Sequence, residues 1–317
     1  FPAMVPLWMI PLALTTGNCF ILKPSEQTPL TTQLLKKVWD KATDRSEIFQ
    51  PVYGTGKLGS AIVSSPQTNV ICFTGSTSVG RKIAEACAPL FKPVILELGG
   101  KDPMIILEDA NIDRSVEAAI FGGFSNAGQT CISVERIFVH EKIYPEIVKK
   151  MSEEIQKTSS GEGDSPIGAI SVERTMEKIR QQINDAKNSS EVIEGCGSSG
   201  WFIAPTLVVN PPSEAKILQE ETFGPVMTIH PFKSNEEAIE LANKTGYGLS
   251  ASIFGKNKKQ IKFISRRIHA GVVSINDVLT HYGIADLPFG GMGLSGIGKV
   301  HGREGLRAFS NQKGNMS

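Results

Sequence analysis

The run Val70-Ile71-Cys72-Phe73-Thr74-Gly75-Ser76-Thr77-Ser78-Val79-Gly80 decides the fold. A β-rich stretch, Asn69 to Phe73, passes through a glycine turn into a helical stretch, Thr77 to Ala88. Such a junction aims backbone N–H groups at an anion in front of a helix N-terminus, and it is equally the form of a plain βα turn. The same alternation runs outward in both directions. Cys19 to Leu22 precedes a helix at Pro29 to Ala42, and Val94 to Leu98 follows as a third strand, so the opening third reads as a parallel sheet with crossover helices. Beyond the Gly99-Gly100 pair, strands are expected at Met104–Leu107, Ile137–His140, Thr206–Val209, Val226–Pro231, Ser250–Phe254 and Gly271–Ile275. Helices are expected at Ile112–Asn126, Tyr144–Thr158, Val172–Ala186, Asn235–Lys244 and Lys258–His269, with surface turns at Ser159–Ser165 and Gly195–Gly200. The fold class is α/β, with a domain boundary at Gly99-Gly100.

The 317 residues are 40% hydrophobic, enough for a large core. Thirty-three basic residues balance 32 acidic ones, and a net charge of +1 builds no field to hold nucleic acid or an anionic membrane. The basic cluster Lys256–Lys262 reads as the solvated start of a helix. Five widely spaced cysteines, Cys19, Cys72, Cys87, Cys131 and Cys196, form no CxxC pair, which argues against a disulfide framework or zinc knuckle and for a reducing, cytoplasmic setting. The apolar opening Phe1–Leu14 is interrupted by Pro2, Pro6 and Pro11 and is too short to span a bilayer, so a buried helix is expected there and no membrane segment.

Chemistry-bearing residues stand out against this background. Gly54-Thr55-Gly56-Lys57-Leu58-Gly59 fits the GxGxxG spacing, but Glu47 to Tyr53 ahead of it is a poor strand. Gly75–Gly80 is better placed, and Arg81-Lys82 after it does not supply the lysine and hydroxyl of a nucleoside-triphosphate loop. Lys23 and Glu26 in Lys23-Pro24-Ser25-Glu26 offer an ammonium donor and a carboxylate acceptor at a strand end, or a solvated turn. Glu97 lies inside the apolar run Val94–Leu98, where desolvation raises a carboxyl's proton affinity toward general-base use. Cys131 follows a Gly128-Gln129 turn suited to exposing a thiol. A lone cysteine is more often a small buried apolar residue, and the other four read that way.

Taken in order, Phe1-Pro2, Lys23–Glu26, Phe73–Thr77, Leu96-Glu97-Leu98-Gly99-Gly100-Lys101, Gly128-Gln129-Thr130-Cys131, Glu221-Thr222-Phe223-Gly224-Pro225 and Pro288-Phe289-Gly290-Gly291 resemble the aldehyde dehydrogenase superfamily, collinearly along nearly the whole chain. The resemblance implies a partial Rossmann-like coenzyme domain at 1–98, a catalytic domain at 99–305, and at 306–317 an incomplete segment returning to the coenzyme and oligomerisation region. It implies oxidation of a small-molecule aldehyde to a carboxylic acid, with Cys131 as nucleophile, Glu97 as base, and thiohemiacetal and thioester intermediates. The implied NAD site comprises Lys23, Glu26, Gly54, Gly59, Phe73, Gly75, Ser76, Val79, Leu98, Glu221 and Phe223. Glu26 resembles the NAD-preferring members, since its charge repels a 2′-phosphate, with NADP the alternative. Glu97 favours hydrolysis over transfer to coenzyme A, and no metal is implied.

Met292–Gly296 resembles the fatty and aromatic aldehyde branch, whereas Val5–Pro11 resembles the semialdehyde branch, and the substrate stays open. Family members carry an asparagine, an oxyanion donor, immediately before the residues matching Phe1-Pro2. The resemblance therefore implies a chain lacking its N-terminal segment and part of the machinery of a homo-oligomeric enzyme, at a cost of roughly 10²- to 10³-fold in turnover. A truncated fragment that binds the dinucleotide without turnover is the alternative. A thiol hydrolase is a third, weakened because none of His140, His230, His269, His281 and His301 forms a recognisable dyad with Cys131.

Overall fold

The computed structural model describes residues 1–311 and 313–314, so Gln312 and 315–317, within the expected return segment 306–317, lie outside the described residues. The chain divides into two compact units, one of 1–98, 284–290 and 296–317, the other of 99–283 and 291–295. The stretch grouped into the second domain from sequence, 99–305, is thus shared, because the chain re-enters the first unit after Gly283.

The first unit opens with α1 (Met4–Thr15). Only Met9, Ile10 and Ala13 are buried, and Leu7 is exposed, so the expected buried helix buries one side alone. β1 (Phe20–Leu22) leads to α2 (Pro29–Ala42), started by a proline in its first turn where no intrahelical N–H bond is lost. β2 (Phe49–Pro51) pairs in parallel with β1. This strand contradicts the poor-strand reading of Glu47–Tyr53. It is held by the buried Phe49 ring, 6.5 Å from Phe20 and 6.2 Å from Trp39, rather than by a β-rich pattern. α3 (Gly56–Ser64) follows, its N-terminus capped by the Thr55 side chain, so Gly54–Gly59 turns directly into a helix. β3 (Ile71–Thr74), α4 (Thr77–Cys87) and β4 (Val94–Glu97) complete the strand–helix–strand run, with β3 and β4 parallel.

The second unit is built on seven strands in the order β11-β10-β5-β6-β9-β8-β7. In chain order its elements are β5 (Asp102–Ile106), α5 (Ile112–Phe124), β6 (Val134–His140), α6 (Tyr144–Lys157), α7 (Glu173–Lys187), β7 (Glu191–Glu194), β8 (Thr206–Val209), α8 (Lys216–Gln219), β9 (Val226–Phe232), α9 (Asn235–Asn243), β10 (Ser250–Phe254), α10 (Lys258–Ser265) and β11 (Val272–Ile275). Every pairing is parallel except β7 with β8. β5, β6 and β10 are buried along their whole length, which explains why none shows a regular polar face: a parallel strand covered on both faces has no solvent side to alternate with. Ile105, Leu107, Phe138, Phe232, Ala251 and Ile253 pack with Ile261 and Ile264 of α10 in one cluster. β12 (Gly296–Ile297) and α11 (Gly302–Ala308) belong to the first unit, and β12 lies antiparallel beside β4.

Ile253 is fully buried in this cluster. Ile253→Ala is expected to lower the unfolding free energy by about 2–5 kcal/mol, through lost transfer energy and the cavity left behind, and to move the urea midpoint down at unchanged slope. A midpoint equal to the parent's would contradict the packing.

Candidate active site

In the first unit, Lys23 follows β1 and donates from Nζ to the Gly54 carbonyl at 2.9 Å, the Pro24 carbonyl at 2.9 Å and Glu26 Oε1 at 3.1 Å. A backbone hydrogen bond and Lys23 hold the Glu26 carboxyl below its ordinary value. The stem of Lys23 runs past Gly59, whose Cβ, were it present, would lie 3.5 Å from Lys23 Cε. Lys23, Glu26, Gly54 and Gly59 therefore form one cluster. At the start of α4, Ser76 caps the helix through Oγ and Val79 stands exposed. A Cβ on Gly75 would come within 2.5 Å of the Phe73 ring, and one on Gly80 within 2.5 Å of a Leu98 methyl, so a side chain at either position would have to displace its neighbour. An uncrowded helix N-terminus offers N–H donors to a phosphate, and the lysine–carboxylate pair offers a donor and an acceptor to ribose hydroxyls, so these residues fit a dinucleotide.

Glu97 ends β4, opposite Thr74 of β3 and Gly296 of β12. Its side chain is 3% exposed and neither carboxylate oxygen has a hydrogen-bond partner. Burial pushes the carboxyl up to about 8, against an opposing pull from the charge of Lys299. A base whose proton affinity sits near neutrality both accepts and releases a proton readily.

In the second unit, Cys131 rides on a turn of three successive left-handed residues, Asn126 (φ 54°), Ala127 (φ 55°) and Gly128 (φ 68°). Left-handed backbone at Ala127 costs on the order of 1 kcal/mol or more, so the surroundings must enforce it. They do: a Cβ on Gly128 would meet the Gly224 carbonyl oxygen at 2.1 Å, and Gln129 ties the turn down. Gln129 Nε2 donates to the Asn126 and Ala169 carbonyls, and its Oε1 accepts from the Ser171 N–H and hydroxyl, both at 2.8 Å. From Ala127 to His140 every residue is buried except Cys131, which is half-buried. Burial drives the Cys72 thiol up to about 12, so that cysteine holds its proton.

Glu221 and Phe223 lie in the loop before β9. The Gly100 N–H donates to Glu221 Oε1 at 3.1 Å, and a Cβ on Gly99 would lie 2.5 Å from Oε2, so the glycine pair is what lets the carboxylate lie over the backbone. Burial foremost, with Glu135 adding, pushes the Glu221 carboxyl up to about 7, while the Gly100 N–H, Lys178 and Lys101 pull the other way. Phe223 is left-handed (φ 57°), and its N–H and that of Thr222 donate to the buried carboxylate of Glu135 at 2.9–3.0 Å. Lys101 closes the knot, its ammonium bonded to Glu135 and, at 3.0 Å, to the Thr222 hydroxyl. Arg136 next to it donates to the Lys101, Leu241 and Ala242 carbonyls. The sequence reading passed over Glu135, Lys178 and Arg136. The signal was present, since Glu135-Arg136 interrupts the apolar run Val134–Val139 just as Glu97 interrupts its own. Glu97 belongs to the first unit and Cys131, Glu221 and Phe223 to the second. Among the described residues no group of three His, Cys, Asp or Glu side chains is placed to hold a metal, and no helix is long and apolar enough to cross a membrane.

Two outcomes follow from these buried charges. Glu135→Gln, which leaves the Lys101 charge without its partner, is expected to cost about 3–5 kcal/mol in urea unfolding, with part recovered in the Lys101→Met/Glu135→Leu pair. For Glu97 the folded value lies above the unfolded one, so its contribution is present at low pH and is lost as pH rises from 4.5 to about 8. Glu97→Gln is accordingly expected to gain stability relative to the parent across that window and to hold a constant difference above it. A difference independent of pH would exclude the raised value.

The aldehyde dehydrogenase family model matches residues 1–314. Human 2-aminomuconic semialdehyde dehydrogenase is 36% identical over 328 residues, covering 98% of this chain and 67% of that protein. The structure of an NAD-dependent aldehyde dehydrogenase from Sinorhizobium meliloti superposes with a TM-score of 0.93 at 34% identity, over 98% of this chain and 63% of that one. A betaine aldehyde dehydrogenase from Staphylococcus aureus, solved in complex with NAD+, gives a TM-score of 0.90 at 31% identity, over 95% and 62%. The chain thus spans roughly two thirds or slightly less of the length of these relatives. A match along almost its whole length, with the glycine, cysteine and glutamate motifs in order, makes this chain a member of the aldehyde dehydrogenase family.

Proposed function

We propose that this chain carries the coenzyme-binding and thiol-bearing parts of an NAD-dependent enzyme that oxidises an aldehyde to a carboxylic acid. The observation that supports it most is the half-buried Cys131, presented from an otherwise buried run on a turn of enforced left-handed residues. Cys131 as thiolate adds to the aldehyde carbon and holds the substrate as a thiohemiacetal, then, after oxidation, as a thioester. NAD, when bound, supplies the hydride acceptor. Lys23 and Glu26 would hold its adenosine ribose, the α4 N-terminus at Ser76 its phosphates, and Glu221 the nicotinamide ribose, with Phe223 against that ring. Glu97 takes a proton from the water that cleaves the thioester, and its raised proton affinity suits a base that must be regenerated each cycle. The Glu26 carboxylate favours NAD over NADP, because a 2′-phosphate would meet like charge.

The test is the NADH absorbance band, followed with the purified chain, NAD and a panel of short, long and aromatic aldehydes. Reduction is expected in the parent and lost by several orders of magnitude in Cys131→Ala. Glu97→Gln is expected to keep a first-turnover burst of NADH while steady turnover falls about 10²-fold, as for loss of a general base. Equal loss of burst and turnover would place Glu97 before the thioester. NAD binding without reduction in the parent would leave a dinucleotide-binding part of such an enzyme.

A further inference from the structure

The carboxylate of Glu97 is buried, yet no hydrogen bond satisfies it. Isolated carboxylates in that position are costly, so the source of their compensation is worth locating. β12 runs antiparallel to β4 with Gly296 opposite Glu97. The chain then passes Gly298 (φ 83°) to Lys299, and Val300 exchanges backbone hydrogen bonds with Phe289 at 2.7 and 2.8 Å. That bridge sets Gly290 beside Lys299, and the Lys299 ammonium donates to the Gly290 carbonyl. A Cβ on Gly290 would lie 2.7 Å from Glu97 Oε1 and 3.0 Å from Lys299 Cδ, so the carboxylate and the lysine stem flank the same glycine. Around Glu97 the paired positions are Thr74 on β3 and Gly296 on β12, neither charged, and Lys299 is the charged group that acts on it.

We propose that Lys299 is a positioning residue for Glu97: moored on the Gly290 carbonyl, on the glycine that the carboxylate also flanks, its charge opposes burial and shifts a carboxylate that no hydrogen bond satisfies toward its ionised, proton-accepting form. The lysine's flexible stem and point charge suit this task, because the charge is supplied without filling the space in front of the carboxylate. The inference rests on reading Glu97 as the base, but the electrostatic coupling itself is measurable without turnover.

The experiment is an infrared titration of the whole chain, following the protonated-carboxyl stretch that disappears in Glu97→Gln. Lys299→Met, which keeps much of the stem and removes the charge, is expected to raise the Glu97 midpoint by about one pH unit, equivalent to about tenfold less ionised Glu97 on the acid side of that midpoint. Lys299→Arg is expected to restore the parent midpoint, which a purely structural role would not require. In turnover with aldehyde and NAD, the acid limb of the steady-state pH profile should move with the titration while the NADH burst stays. An unmoved midpoint in a folded Lys299→Met overturns the proposal. A moved midpoint with steady turnover indifferent to Glu97→Gln keeps the coupling and removes the base assignment instead.

Discussion

The carboxylate of Glu135 is the constraint on which the second unit's candidate site depends. It is buried in the middle of an apolar strand, where an unpaired charge costs several kcal/mol, and it is tolerated because three donors converge on it: the Lys101 ammonium and the backbone N–H groups of Thr222 and Phe223, the first of these N–H groups reaching both oxygens. Those bonds fix the strained Phe223 backbone and with it the approach of Glu221 to the Gly99-Gly100 pair. A loop that might otherwise wander is thereby given the precision of the central sheet.

The first unit follows the opposite logic. Its acidic residue of interest, Glu97, is buried without hydrogen-bonding partners, and the space around it is kept open by glycines at 290 and 296. One carboxylate is fully satisfied and acts as a structural anchor; the other is left wanting a proton. The same chemical group serves two ends because its surroundings differ, which is the general way in which proteins separate scaffold from reactive centre.

Much of this was legible in the sequence, for physical reasons that also define what was not. The α/β class and the strands β5, β6, β9 and β10 are readable because full burial writes long apolar runs, although β5 and β6 begin two to three residues earlier than expected, where Asp102 and Glu135-Arg136 break the run. β2, β7 and β12 are not readable. β2 depends on aromatic packing of Phe49, β7 is an edge strand with glutamates at both ends, and β12 is two residues of mostly backbone beside β4. Of the candidate site, Glu97, Cys131 and the glycine turns announce themselves locally as exceptions to a pattern. Lys299 does not, because its relation to Glu97 is made by a return of the chain from 200 residues away, and Lys178 reaches the Glu221 carbonyl only through tertiary structure.

The contact of Gly128 with the Gly224 carbonyl has a consequence for redesign. The turn that carries Cys131 and the loop that carries Glu221 and Phe223 touch backbone to backbone, with no side chain between them to absorb a change. They therefore make a single inheritable module although nearly a hundred residues separate them in sequence. A graft that imports one loop from a relative will transplant well only with its companion, and diversity in this family member is more safely introduced at its solvent-facing helices than at either loop alone.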